Sequence, residues 1–478
     1  MDAPHNVVVI MCDELKAKAL PPYELNPCGT PHIDELARSG IRYDAAYAAH
    51  PLCVPSRIGF WTSMYSSTHG CMTNQRLKPE SLPHAFAQWK NRGFTTGLIG
   101  KNHCFSEQDA RESFDVWCEL GHTGRPRNGE TRGMDWVRPA HSIDAAHAER
   151  RVVHAPGHDY AATPTAFDED SYATGVIGAQ AERFVHRHRH TPFALWVSFP
   201  DPHPPYEVPE RFFRKCLEAD PILPLNTDVR LEDKPERMRL LSSILSVDRA
   251  ELPAFMAAYY GMILFIDEAV GRIVRAIRSA GLDRRTIVVF TSDHGDFAGE
   301  YGLIAKGGVF VDSLTRVPLI LTGPGCGTPG YVEPRPVSLI DVLPTLFRLQ
   351  GIPEPAEFEG TALPLSAGDP ARAHVFSEYG AGGPLYTIED YRRQQSAKGR
   401  VALLESGQRR EAEGLRKMAF DGRYKYVHDP MGDIDELYDL EEDPWEMTNL
   451  AGHAELRAVQ EALSAALAEQ FFRRKAGL

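Results

Sequence analysis

The sequence predicts an α/β fold: a doubly wound core built on a buried parallel sheet, followed by a smaller subdomain with an antiparallel sheet. Three observations predict it. Four apolar or β-branched runs, at residues 6–11, 95–99, 193–199 and 286–291, show no polar–apolar alternation, which marks strands buried on both faces. Helical stretches lie between them, and alternating strand and helix is the pattern of a parallel sheet covered by helices. Beyond residue 364 the apolar pieces shorten and turn residues separate them, the pattern of antiparallel pairing.

Each element follows from local chemistry. The run 6–11 ends at Cys12-Asp13-Glu14, 95–99 at Gly100-Lys101-Asn102-His103, 193–199 at Pro200-Asp201-Pro202-His203, and 286–291 at Ser292-Asp293-His294-Gly295-Asp296. In a doubly wound sheet, ligands sit beyond the C-terminal ends of the strands, so these four polar clusters are expected to meet on one rim. A helix is expected over 31–40, with Thr30 as N-cap, Pro31 in the first turn and Gly40 as stop. A second, longer and apolar-faced, is expected over 254–280. The pieces 374–378, 417–419, 422–427 and 436–440 form the small sheet, and a terminal helix covers about 454–475. The expected division is an α/β domain at 1–370 and a C-terminal subdomain at 371–478. Polar segments at 121–164 and 380–416 are expected to be loop-rich and are candidates for a pocket wall, with oligomer contacts or disordered surface as the alternatives.

Composition narrows the function. The chain of 478 residues has 52 Lys+Arg against 65 Asp+Glu, a formal charge of −13. Such a surface does not favour nucleic acid or an anionic membrane; an anionic substrate would need a local positive island. Residues 1–5 lack a basic leader and the run 7–12 is too short for a secretory core, so the expected location is the cytoplasm. The longest uncharged apolar stretch, 253–266, is too short to cross a bilayer and reads as a buried helix. Eight scattered cysteines without a CxxC pair favour neither a zinc site nor a disulfide framework.

Three constellations can carry chemistry. Asp13, Glu14, Asp293 and His294 stand at two strand ends; clustered carboxylates repel unless a cation joins them, and with an imidazole they suit a divalent ion. The same residues could instead cap helices or close turns. Cys53-Val54-Pro55-Ser56-Arg57 opens a helix, where free N–H groups favour an anion and Arg57 adds a forked donor; the bland reading is a buried cysteine before an ordinary helix. Lys101, His103, His203 and Lys306 follow apolar strands or lie in Pro- or Gly-rich turns. The run His186-Arg187-His188-Arg189-His190 reads as an exposed helix end rather than a metal tract.

Together these residues resemble the type I sulfatase family of the alkaline phosphatase superfamily. Cys53 to Arg57 matches its C-x-P-S-R signature, and the continuation to His69-Gly70 is similar too. Asn6 to Glu14 and Thr291 to Asp296 resemble its two metal strands, Gly100-Lys101-Asn102-His103 its K-x-H element, Pro202-His203 its histidine turn, and Gly302 to Lys306 with Thr315 to Leu319 its lysine loop. Glu436 to Leu440, Asp443-Pro444 and Asn449-Leu450 resemble its C-terminal subdomain. The resemblance implies a large mixed, mostly parallel sheet sandwiched by helices. It implies a sulfuric ester hydrolase acting on a small-molecule sulfate monoester, with phosphonate monoester or phosphodiester hydrolysis as the alternative. It implies that Cys53 is oxidised to formylglycine by a separate formylglycine-generating enzyme. It implies one divalent ion, Ca²⁺ first and Mn²⁺ or Mg²⁺ as alternatives, on Asp13, Glu14, Cys53, Asp293 and His294. Catalytic roles then fall to Cys53, Arg57, Lys101, His103, His203 and Lys306. Two departures stand out: position 14 is Glu where many members have Asp and some Gln, and position 294 is His where others have Asn. A homo-oligomer is compatible with all of this.

Overall fold

A computed structural model describes residues 5–473, apart from 25, 76, 122–130, 136–161, 166–167, 384–388 and 390–413. Most of the two segments that are candidates for a pocket wall lies outside the described residues.

The core is a sheet of eight strands: β1 (Asn6–Asp13), β2 (Ile41–Tyr43), β3 (Thr95–Gly100), β4 (Val116–Glu119), β5 (Phe193–Pro202), β6 (Thr286–Ser292), β7 (Leu319–Thr322) and β8 (Val332–Glu333). Their order is β8-β2-β7-β6-β1-β5-β3-β4. The four strands expected from sequence are neighbours, all parallel, with β4 added parallel at one end and β7 antiparallel beyond β6. β1 shows why these runs do not alternate. Val8, Ile10 and Cys12 enter one apolar core, with the long helix α6 (Leu252–Ser279) on that face. Val7, Val9 and Met11 enter a second core, with helices α2 (Cys53–Thr62) and α7 (Val342–Gln350). Both faces exclude water, so both need apolar side chains.

Register brings the strand ends level. Cys12 pairs with Ser292 and Asp13 with Pro202; Gly100 pairs with Ser198. Gly100 is required there, because it has φ 106° and a Cβ would lie 1.9 Å from the Ser198 carbonyl oxygen. α6 is 28 residues long and apolar enough to cross a membrane by length and composition, but 89% of its most apolar window is buried against the protein. It extends beyond the uncharged stretch seen in sequence because Asp267 and later charges find partners.

The smaller sheet is antiparallel, in the order Val375–Glu378, Lys417–Phe420, Tyr424–His428 and Glu436–Asp439. The terminal helix Arg457–Ala468 packs Leu463 and Leu467 against its Ala419, Tyr426 and Leu437. Glu378 ties this sheet to the α2 region: its N–H donates to Ala49 O at 3.0 Å, and its carboxylate accepts Ser67 N–H at 2.6 Å and Lys417 Nζ at 2.7 Å. The His-Arg run closes helix α3 (Ala173–Arg187), with Arg187, Arg189 and His190 exposed, and helices α4 (Glu210–Glu218) and α5 (Glu236–Leu245) lie between α3 and α6 in the chain.

Two expectations need correction. Helix α1 (Pro31–Ser39) forms where predicted, but Thr30 makes no capping hydrogen bond from its side chain; its hydroxyl turns to Asp34 at 2.8 Å. Asp267 of α6 caps instead, accepting His32 N–H at 3.0 Å and Ile33 N–H at 2.8 Å through Oδ1. The cysteines also differ from expectation: Cys28 and Cys216, 188 residues apart and both buried, form a disulfide with Cα atoms 5.4 Å apart. Sequence spacing carries no sign of such a pairing, because folding alone brings the two together.

Two outcomes follow. Replacing Cys28 with Ser is expected to lower unfolding free energy by about 2–5 kcal/mol, since the bridge closes a long loop of the unfolded chain; denaturant titration of oxidised and reduced protein measures it. Burial raises the Asp267 carboxyl to about 7, and its Oδ2 has no hydrogen-bond partner. The folded state therefore holds a proton that the unfolded state releases near pH 4, so stability from this group falls as pH rises from about 4 to 7. Asp267→Asn, which keeps the acceptor, is expected to flatten that decline in a pH series of thermal melts.

Candidate functional site

The strand ends β1 and β6 deliver Asp13 and Asp293, and the start of α2 delivers Cys53 and Arg57. Cys53 Sγ lies 3.4 Å from Asp13 Oδ1 and 3.2 Å from His294 Nε2. Asp13, Glu14, Cys53 and His294 each offer a donor atom, all within 4.8 Å of one another and all buried. Glu14 reaches the cluster because its backbone is left-handed, φ 69°, a strained conformation for a residue with a Cβ. Tyr259 holds that backbone: its hydroxyl donates to Glu14 O at 2.7 Å and accepts Lys16 N–H at 3.1 Å.

Cations ring these donors. Arg57 Nε donates to Asp293 Oδ2 at 2.7 Å, and Nη1 donates to Ser198 Oγ at 2.8 Å and Lys101 O at 3.1 Å. Arg57 Nη2 has no hydrogen-bond acceptor; Asp13 Oδ2 lies 3.6 Å away. Lys101 pairs with Asp13, and Lys306 pairs with Glu14. His203 Nε2 lies 3.2 Å from Glu14 Oε1, with its Nδ1 2.6 Å from Pro204 O. His103, at φ 59°, flanks Lys101 and leaves Nδ1 without a partner.

Burial is the largest influence on Asp13, Cys53, His103 and His203. It opposes ionisation of Asp13, but Lys101, His203, Arg57 and Lys306 outweigh it and hold that carboxyl well below the usual range. Burial, then Asp13, push the Cys53 thiol well above its ordinary value, so the unmodified side chain is a neutral thiol. Burial and Lys101 hold His203 down to about 4 and His103 well below its usual value, leaving both imidazoles neutral at pH 7.

The donor set fits a divalent cation. Glu14 Oε1 faces Lys306 and His203, but Oε2 is buried without a hydrogen-bond partner, and a buried carboxylate oxygen in that condition is costly unless a cation meets it. Asp293 differs from the other four sequence-predicted ligands. Its Oδ2 faces Arg57, while Oδ1 accepts Glu14 N–H at 3.3 Å and His294 N–H at 2.9 Å, and Oδ1 lies 3.8 Å from His294 Nε2. Asp293 thus adjoins the four-donor cluster. Nine of the ten residues singled out in the sequence are linked in this cluster; His103 lies near enough to interact electrostatically with Lys101 and Asp13 but lines an adjacent cleft with Asn74, Gln75 and Asn102. Sequence reasoning missed Ser198, Tyr259 and Ser56, whose Oγ donates to Asp293 O at 2.6 Å. Ser198 had a signal, a lone hydroxyl in an apolar run; Tyr259 had none, being one of two adjacent tyrosines within an apolar helix.

The family model described as Sulfatase matches residues 5–352. The arylsulfatase of Clostridium perfringens is 27% identical over 377 residues, covering 75% of this chain and 77% of that protein. The choline-sulfatase of Rhizobium meliloti is 27% identical over 461 residues, covering 93% and 82%. In fold, the chain is similar to a protein solved in complex with its substrate D-glucosamine-2-N,6-O-disulfate, with a TM-score of 0.77 at 20% identity over 99% of both chains. It is similar also to the phosphonate monoester hydrolase of Agrobacterium radiobacter, with a TM-score of 0.76 at 24% identity, covering 97% and 95%. With the signature helix, the paired strand ends and the family match over most of its length, the chain belongs to the sulfatase family and is a sulfuric ester hydrolase.

Proposed function

We propose that this pocket cleaves a sulfate monoester of a small alcohol after Cys53 is converted to formylglycine by a separate maturation enzyme. One divalent cation, Ca²⁺ ahead of Mn²⁺ or Mg²⁺, is held by Asp13, Glu14, His294 and the side chain at position 53, with Asp293 alongside. The observation that carries this reading is the convergence of Asp13, Glu14, Cys53 and His294 within 4.8 Å, ringed by Arg57, Lys101 and Lys306. When bound, such a cation lowers the pKa of an oxygen nucleophile and polarises an ester oxygen.

Charge arithmetic supports an anionic substrate. Asp13, Glu14 and Asp293 balance Arg57, Lys101 and Lys306, so a divalent cation leaves an excess of two positive charges. That is the local positive island an anion needs in a chain of charge −13. Arg57 Nη2, buried without an acceptor, is free to donate to a sulfate oxygen. Lys101 and Lys306 orient the remaining oxygens and offset charge as it develops. Lys306, against Glu14, is placed to protonate the departing oxygen, and His203, against the same carboxylate, to stabilise it. His103, neutral and with Nδ1 unpartnered, accepts the proton whose loss releases sulfate and restores the aldehyde.

Three outcomes test this. The Cys53 peptide of active enzyme is expected to be lighter than the thiol form by about 18 Da; turnover by protein whose peptide is wholly thiol would refute the reading. Matched aryl sulfate, phosphonate monoester and phosphodiester substrates are expected to rank with sulfate first by kcat/KM, and a leading phosphonate or diester would replace the substrate class. Elemental analysis is expected to find one calcium per chain, with Asp13→Asn lowering metal affinity by about tenfold or more; stoichiometric manganese would reassign the ion.

A further inference from the structure

His203 and Lys306 reach Glu14 from segments about a hundred residues apart, and one phenol joins those segments. Tyr206 lies three residues after His203. Its hydroxyl donates to Asp296 Oδ2 at 2.7 Å and accepts Ala305 N–H at 2.9 Å. Ala305 immediately precedes Lys306 and is left-handed, φ 61°, so its conformation needs support from outside the loop. Asp296 Oδ1 accepts Ala298 N–H at 2.7 Å, and Phe297 N–H donates to Ala305 O at 2.9 Å. One carboxylate and one phenol therefore hold both ends of the loop that carries Lys306.

The phenol is itself fixed. Tyr206 and Asp296 are buried, at 1% and 0% exposure. The Tyr206 ring packs edge-on against Phe255, centroids 5.6 Å apart, and near Tyr259 at 6.4 Å. Tyr259 is the residue that holds the Glu14 backbone. The His203 turn, the Lys306 loop and the Glu14 bend thus share one rigid support.

We infer that Tyr206 and Asp296 form a positioning pair that sets His203 and Lys306 relative to each other on the leaving-group side of the site. Neither touches substrate. The inference rests on the leaving-group roles proposed above, and it extends them to residues that the metal and sulfate contacts do not use. Small displacements of an acid from its target cost rate steeply, and the loss is greatest where the leaving alcohol most needs a proton.

The test uses the full-length, matured enzyme and sulfate esters ranging from 4-nitrophenyl to simple alkyl. Tyr206→Phe keeps the ring and removes both hydrogen bonds. It is expected to lower kcat on the alkyl ester by about tenfold or more and on the nitrophenyl ester by less than about threefold, with KM little changed. Asp296→Ala, which removes the acceptor and leaves the ring, is expected to show the same bias; it carries the test alone if Tyr206→Phe does not fold. Asp296→Asn is expected to recover most of the Asp296→Ala loss. Equal losses on all esters, or none, would overturn the inference when Lys306→Ala and His203→Ala remain biased against alkyl esters. If those two variants are themselves unbiased, the leaving-group roles fail, and the inference falls with them by a different, recognisable result.

Discussion

Everything at this site depends on opposite charges held together where water is excluded. Asp13, Glu14 and Asp293 are wholly buried, and so is Arg57, with Lys101 and Lys306 nearly so. In that environment an isolated charge is costly and a paired one is strongly held. Each carboxylate therefore has its cation: Asp13 with Lys101, Glu14 with Lys306, Asp293 with Arg57. The pocket is built so that removing one member strands another.

The sheet supplies the convergence. Parallel strands in register end on the same edge, and β1, β6, β5 and β3 are adjacent there. Strand geometry alone does not aim the side chains inward. The bends beyond the strands do that, through left-handed backbone at Glu14 and Ala305. Strain of this kind persists only where surrounding structure over-determines it, and here the hydroxyls of Tyr259 and Tyr206 do so. The small antiparallel sheet reaches the same region through Glu378 and through Tyr379, whose ring lies 5.6 Å from that of the buried His50.

Much of this was legible in the chain itself. The strands at the core were visible because both their faces are apolar, and the helix bearing Cys53 and Arg57 was visible from Pro55 and its signature spacing. The other charged candidates could be picked out because they follow apolar strands or lie in Pro- or Gly-rich turns. The pairing of Cys28 with Cys216 was not legible, nor the capping of α1 by Asp267, nor the Tyr206–Asp296–Ala305 bridge. Each joins residues whose separation in sequence carries no periodicity. The Thr30 cap failed for the same reason: a local rule was overridden by a carboxylate arriving from another helix.

The sequence by itself determined the four central strands of the main sheet and the long apolar helix, which follow from burial pattern and local spacing, together with the set of charged side chains and the C-x-P-S-R signature at 53–57 that marks the family resemblance. Only the tertiary structure decided which carboxylate meets which cation, that Asp293 turns toward Arg57, and that a tyrosine outside the charged set braces two loops at once. Those choices depend on distances between strand tips and on which buried polar atom finds a partner, and such distances exist only once the sheet has closed around them.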